Sequence, residues 1–330
     1  MEKKVLLKEV QELLSDSKFR EVYDKLLPMW EDGSLQQLSD TQETNIENDL
    51  CFSFARAGRF VSEFDTSKEA FGHLIKQANE KGNYERSFRT NPFYGDVLRV
   101  SGDVEGARAF LNRAIIKQEK LVSQGKMDKD SLSVGSTFLE LSKTLGEEEL
   151  HEKSEMLDIA EENLKQYLQQ EPKPPLYPRR FLHTIQEQRV PGLLSQGKDK
   201  EAADLYKELI GNADKDPRMA HEKYSSMLGL ASLNIERNVE LEEARDYAAQ
   251  AHDFYKDNYP GTLWQATYYE LKASKGLGGE FKDHKDLVER EKEEWQSYAF
   301  KDSQTVEMRS NLSILINKER LNILDKDERV

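Results

Sequence analysis

Cysteine pairs, long apolar runs and a surplus of basic residues are all missing from this 330-residue chain. Its single cysteine, Cys51, cannot form an internal disulfide, which fits a reducing compartment. No apolar run approaches the ~20 residues that cross a bilayer, and the charged N-terminal stretch does not read as a signal peptide. The net charge of −14 makes the surface as a whole repel phosphate backbones. We therefore expect a cytoplasmic protein that binds no membrane, and we do not expect nucleic acid as its partner.

Motifs that carry chemistry are also scarce. None of the six histidines has a second histidine three to five residues away, and His221-Glu222 begins a zinc-protease motif that is not completed. The Walker loop and the G-x-S-x-G motif are absent. The one glycine-rich run, at residues 276–279, lacks the Lys and Ser/Thr of a phosphate-binding loop. We predict no enzyme active site, no cofactor and no metal.

What the chain does contain is helical periodicity from end to end. Amphipathic stretches alternate with short turns, for example at Gly58, Gly102 and Gly197. Only 37% of the residues are apolar and 33% are charged, a balance that suits a thin stack of helix pairs with a large surface. Regular punctuation of this kind indicates an internal repeat in an all-α protein.

The clearest unit of the repeat lies between residues 88 and 118. Gly95, Gly102, Ala107, Leu111 and Ala114 follow one another at intervals of 7, 5, 4 and 3 residues. Gly95 lets two helices approach closely, and Gly102 permits the left-handed backbone that ends a helix. This spacing resembles the tetratricopeptide repeat (TPR), a helix pair of about 34 residues. Weaker copies of the spacing contain Gly197, Ala202, Tyr206, Gly229, Ala244 and Ala251.

The resemblance implies a right-handed α-solenoid of about seven TPR-like helix pairs with a C-terminal closing helix. A generic helical bundle is the alternative. A Pro-rich bend at 172–178 is expected to separate an N-terminal array, 1–171, from a C-terminal array, 179–330, that includes the closing helix. Pro191 should kink or break its helix, and the sixth pair should carry three extra residues in its turn. The predicted pairs are 1–33, 42–81, 84–121, 131–171, 178–214, 218–258 and 262–298, and the closing helix is 303–324.

The resemblance also implies where a ligand would bind, because in this family the first helix of each pair lines a concave groove. Asparagine amides can pair with an extended peptide backbone, and arginine can hold a carboxylate through two hydrogen bonds. The family's groove positions, carried onto the best-matched units, are Asn45, Asn48, Phe52, Arg56, Arg89, Asp96, Arg99, Lys223 and Asn234.

Charge is distributed unevenly along the chain. Residues 147–171 contain nine acids and two lysines, a net charge of −7 that is half of the excess of the whole protein. Residues 84–120 carry a net charge of +2. A solvated helix face explains the acidic run, and the alternative is a patch that attracts a basic segment of a partner.

These observations favour a non-enzymatic scaffold or adaptor that binds a protein or peptide. One alternative is a peptide-responsive TPR regulator of the bacterial quorum-sensing type without a DNA-binding domain, because residues 1–41 look like a degenerate repeat. Another, less favoured, is an enzyme whose site lies between helices and draws on residues distant in sequence. No motif identifies the partner.

Overall fold

The computed structural model describes residues 3–16, 18–38, 46, 49–171, 176–258 and 260–278. Every regular element within these ranges is a helix, and none of those helices is long and apolar enough to cross a bilayer. The α-helices are α1 (Lys3–Ser15), α2 (Phe19–Glu31), α3 (Ser34–Leu38), α4 (Leu50–Phe60), α5 (Phe64–Glu80), α6 (Tyr84–Val100), α7 (Val104–Ser123), α8 (Ser131–Ser142), α9 (Leu150–Gln170), α10 (Tyr177–Ser195), α11 (Asp199–Ala213), α12 (Ala220–Arg237), α13 (Leu241–Asn258) and α14 (Pro260–Gly276).

Each helix packs against the next one along the chain. The pairs α1/α2, α4/α5, α6/α7, α8/α9, α10/α11 and α12/α13 correspond to the first six predicted pairs, and α14 to the first helix of the seventh. The short helix α3 was not predicted. The second helix of the seventh pair, the closing helix at 303–324 and most of the Pro-rich bend lie outside the described residues.

The spacing of the pairs is less regular than a 34-residue repeat. The helices that open pairs two to seven begin at residues 50, 84, 131, 177, 220 and 260, so the spacing is 34 residues once and 40 to 47 thereafter. The longer steps contain the loop at 124–130 and the segment at 143–149. Hydrogen bonds between successive pairs accordingly join residues about 40 apart, such as Arg86 with Asp49, 37 positions away, and His183 with Ser226, 43 away.

Small residues sit where helices touch or end. Gly102 has a φ of +96° in the turn after α6. A Cβ added to Gly95 would lie 2.6 Å from Leu111 Cδ2, so α6 and α7 meet at this glycine. Ala107, Ala114, Ala202, Ala244 and Ala251 are buried.

Three sequence expectations need correction. Gly229 packs against the Tyr206 ring of α11, so it joins the fifth and sixth pairs instead of packing within the sixth. The turn between α12 and α13 holds only residues 238–240, as short as the turns at 101–103 and 196–198, so the extra residues lie in the helix. Finally, of the kink or break expected at Pro191, the break is wrong, because α10 continues to Ser195.

Helix α6 fixes the helices on both sides of it through their N-caps. Arg86 Nη2 donates to Asp49 Oδ2 at 2.6 Å, and the other oxygen of Asp49 caps α4 by accepting from the Phe52 backbone N–H at 2.9 Å. Arg89 Nε donates to Asp130 Oδ2 at 2.8 Å, and Asp130 caps α8. Since both caps are held by one helix, pairs two to four form a continuous block.

The helices that open the pairs also contact one another. Helix α6 packs on α8, α8 on α10, α10 on α12 and α12 on α14. We call α4, α6, α8, α10, α12 and α14 the first-helix row. At the end of α4 the Phe60 ring lies 6.2 Å from the His221 ring of α12, so the second pair touches the sixth. The row therefore bends back on itself and encloses space.

Candidate functional site

Two adjoining cavities lie along the first-helix row. The larger, of about 460 Å³, is walled mainly by α10, α12 and α14, and we call it the large cavity. The smaller, of about 140 Å³, lies among α4, α5, α6, α8, α10 and α12, and we call it the small cavity. Arg59, Phe60 and His221 line both, so a ligand that fills one meets the wall of the other.

Ion pairs line the small cavity. Arg59 Nε and Arg99 Nη2 each donate to a different oxygen of Asp96 at 2.7 Å. Burial alone would raise the pKa of Asp96, but Arg59, Arg99 and Lys143 outweigh it and hold that pKa well below its ordinary value of 3.8. Asp96 is therefore an anion that joins α4 to α6.

At two further carboxylates of the small cavity, the neighbouring positive charge does not offset the effect of burial on the pKa. Lys143 Nζ donates to Glu140 at 2.7 Å, yet burial raises the pKa of Glu140 above its ordinary value. Burial also raises the pKa of Glu222, which lies 3.4 Å from Arg180 Nε. His221 between the cavities is the opposite case, because burial and the positive charges of Arg180 and Arg59 lower its pKa to about 3. A half-buried imidazole with a lowered pKa thus lies between the two cavities.

Glu187 lines the large cavity and contacts a buried hydroxyl and a buried imidazole behind the cavity wall. His183 Nε2 lies 2.8 Å from Ser226 Oγ, and Ser226 Oγ donates to Glu187 at 2.7 Å. The same Nε2 lies 3.6 Å from Glu187. In a hydrolase triad the acid binds the other ring nitrogen and the serine is accessible, whereas Ser226 is fully buried. The three side chains join α10 to α12.

Three of the nine predicted groove residues come together at the small cavity. Arg56 and Asp96 line it, and Arg99 reaches it through Asp96. Phe52 and Asn234 are only 2% exposed and are core residues, which is a correction to their assignment to a ligand surface.

The remaining candidates lie elsewhere. The Phe52 ring packs on Phe93, while the Asn234 amide faces Glu240 and Glu243 at the turn after α12. Lys223 is bound to Asp214 at 2.5 Å, away from both cavities. Arg89 pairs with Asp130 and Glu85 at a separate open cavity of about 460 Å³ near the α5–α6 turn. Asn45 and Asn48 lie outside the described residues.

The acidic region 147–171 is partly neutralised by neighbouring helices. Arg108 of α7 holds Glu149 at 3.0 Å, and Arg189 of α10 holds both Asp158 and Glu161 at 2.7 Å. Other acids of α9 face solvent, among them Glu152 and Glu162. The acidic run is therefore both a set of links between helices and a charged surface.

Sequence reasoning missed most of the side chains that define the small cavity. A signal existed for Glu140, because it is the only charged residue in α8, whose sequence is SLSVGSTFLELS. A lone acid on a helix that is otherwise uncharged and largely buried needs a partner or a role. Arg180 and Glu222 gave no comparable signal, because they lie among other charged residues in the sequence.

No protein-family model matches the chain, and a search of curated proteins gives no match either. Among the described residues, no group of three or more His, Cys, Asp or Glu side chains could hold a metal ion.

Proposed function

We propose that this chain is a non-enzymatic scaffold or adaptor, a right-handed α-solenoid of the TPR type, that binds a protein or peptide segment in the cavities of its first-helix row. One observation carries the proposal: the opening helices of five successive pairs contribute side chains to one small cavity, which adjoins a larger one. The walls combine aromatic rings with charged and polar groups, the mixture that fixes a peptide's side chains and backbone. We also propose that the protein is cytoplasmic and that a basic segment of the partner binds at the acidic region 147–171.

A selection from a random linear octapeptide library tests this function. The full chain is immobilised, enriched peptides are synthesised, and their affinity is measured by titration calorimetry. In the variant Gln188→Trp an indole fills part of the large cavity, and we expect at least about a tenfold loss of affinity. Gln169→Trp, on the exposed face of α9, is the matched control and should bind as the wild type does. An absence of enrichment, or equal binding by the two variants, would count against a binding role.

The contact between the second and sixth pairs favours a second candidate, the peptide-responsive regulator. Phe60 and His221 close the row on itself, and both line the two cavities. A ligand that tightens or parts this contact would change the shape of the array. Small-angle scattering with and without a selected peptide separates the candidates: a changed radius of gyration favours the regulator, and an unchanged one the passive scaffold.

A further inference from the structure

Two buried glutamates at the small cavity each have one oxygen in an ion pair and one with no hydrogen-bond partner among the described residues. Lys143 occupies Oε1 of Glu140, and Arg180 lies against Oε1 of Glu222. Within the part of the chain that the structure describes, Oε2 of Glu140 and Oε2 of Glu222 have no hydrogen-bond partner. The two residues are 4% and 7% exposed, so neither oxygen is in open solvent.

Such oxygens are costly to a folded chain. Nearly all buried polar atoms in proteins are hydrogen-bonded, and an acceptor left without a donor loses the free energy of its hydration. The two acceptors come from different helices, α8 and α12, and line the same cavity. A ligand group in this cavity that carries several N–H donors would offer a partner to each of them.

The other side chains that line the small cavity favour one kind of N–H donor over another. The rings of Phe60, Phe93, Tyr177 and Phe181 line the same cavity, and aromatic faces attract cations. The volume of about 140 Å³ fits the end of one side chain and excludes a folded element. These features favour an ammonium or guanidinium group over a neutral amide.

Basic residues also line the small cavity, and they make an anionic ligand the competing outcome. Arg59, Lys143 and Arg180 each lie against a carboxylate, namely Asp96, Glu140 and Glu222. Arg56 lies over the rings of Phe19 and Phe60. Because the cations lie against the first oxygens of the two glutamates, the second oxygens remain for the ligand.

We propose that the small cavity binds a cationic N–H donor of the ligand, either a lysine or arginine side chain or a peptide N-terminal ammonium, between Glu140 and Glu222. The inference rests on the proposed peptide-binding function and names the chemical group that anchors the peptide.

Small probes test the anchor without any peptide. Saturation-transfer NMR on the full chain would compare n-butylamine and n-butylguanidine with n-butyrate, which is the anionic counterpart of the same length. We expect a signal from the two cations and none from butyrate. Glu140→Gln and Glu222→Gln should each weaken the cations at least about tenfold, since the new amide N–H repels a donor. Glu162→Gln, the same change on the exposed face of α9, should leave them unchanged.

Peptides then distinguish the two sources of the cation. A position-scanning library is prepared with free and with acetylated N-termini. Loss of binding on acetylation assigns the site to the N-terminal ammonium, whereas a preference for Lys or Arg at one position assigns it to a side chain.

The failures of the two proposals are separable. Peptides that bind with no preference for a cation, or a signal from butyrate that equals that of butylamine, would overturn the anchor and leave the function standing. Amines that bind where no peptide does would overturn the function and leave the anchor standing. If one glutamine variant fails to fold by circular dichroism, the other variant decides the result.

Discussion

The junction between α4 and α6 and the small cavity both rely on buried ion pairs, but only the junction is chemically complete. At the junction Arg86 and Asp49 are 1% and 0% exposed, and both oxygens of Asp49 are engaged, one by Arg86 and one by the Phe52 N–H. At the small cavity Glu140 and Glu222 each keep an oxygen without a donor among the described residues. Buried ion pairs therefore stabilise the fold at the α4–α6 junction, whereas at the small cavity they leave two acceptor oxygens for a ligand.

Breaking the complete pair should have the largest effect on stability. Asp49→Ala removes the carboxylate that pairs with the buried Arg86 guanidinium, and it also removes the N-cap of α4. We therefore expect a loss of about 3–5 kcal/mol in the free energy of unfolding. Urea denaturation followed by circular dichroism measures it. Glu12→Ala removes an exposed i,i+4 pair with Lys8 and should cost less than about 0.5 kcal/mol. Equal losses in the two variants would remove the distinction between buried and exposed pairs.

Close packing within helix pairs gives the next largest effect. A Cβ added at Gly135 of α8 would lie 2.9 Å from the Ala160 carbonyl oxygen and 2.7 Å from Leu164 Cγ. Because a backbone carbonyl inside a helix cannot move without disturbing that helix, Gly135→Ala should lower the free energy of unfolding by about 1–3 kcal/mol. At Gly72 in α5 an added Cβ meets nothing within 4 Å, so Gly72→Ala should gain about 0.5–1 kcal/mol from helix propensity. Thermal unfolding of both variants would show opposite shifts, and shifts of the same sign would contradict this account.

Glu140 at the small cavity should affect how the free energy of unfolding depends on pH. Burial raises the pKa of Glu140 in the folded chain, so the folded chain holds this proton more tightly than the unfolded chain does. The stability that this proton provides is present below the ordinary value of 4.5 and is lost as the pH rises through the higher folded pKa. Glu140→Gln cannot ionise and escapes that loss.

The measurement is the difference in the free energy of unfolding between Glu140→Gln and the wild type, taken at half-unit steps from pH 4.5 to 8. It should move in favour of the variant as the pH rises, by at most about 1.4 kcal/mol per pH unit. Glu162→Gln, on the exposed face of α9, is the matched control. A flat difference for Glu140→Gln would mean that the pKa of Glu140 is not raised by folding.

The sequence predicted local architecture better than it predicted the cavities. The five small or apolar residues from Gly95 to Ala114 located α6 and α7, because helix contact and helix ending depend on side chains only a few positions apart. Phe52 and Asn234 were misplaced because periodicity shows that a helix has an apolar face but not which neighbour covers its ends. Glu140 and Glu222 line one cavity although 82 positions separate them in the sequence, and the way in which α8, α10 and α12 bring them there is a sum of many small packing angles.

The acidic region offers the mildest test, because its ion pairs are more exposed than the pair at the α4–α6 junction. Arg189 bridges Asp158 and Glu161 from a side chain that is 25% exposed, and Asp158 is 66% exposed. Water and salt screen such contacts, so Arg189→Gln should cost less than about 1 kcal/mol in the free energy of unfolding. The loss should shrink further when 0.05 M NaCl is replaced by roughly 1 M, where the Debye length falls to about 3 Å. Arg245→Gln, beside Asp246 on the exposed face of α13, should cost nothing measurable at either salt concentration. A loss that is as large as that of Asp49→Ala and does not depend on salt would mean that the ion pairs between α9 and α10 stabilise the fold as the buried pair at the α4–α6 junction does. Only the exposed acids of 147–171 would then remain to attract a basic partner.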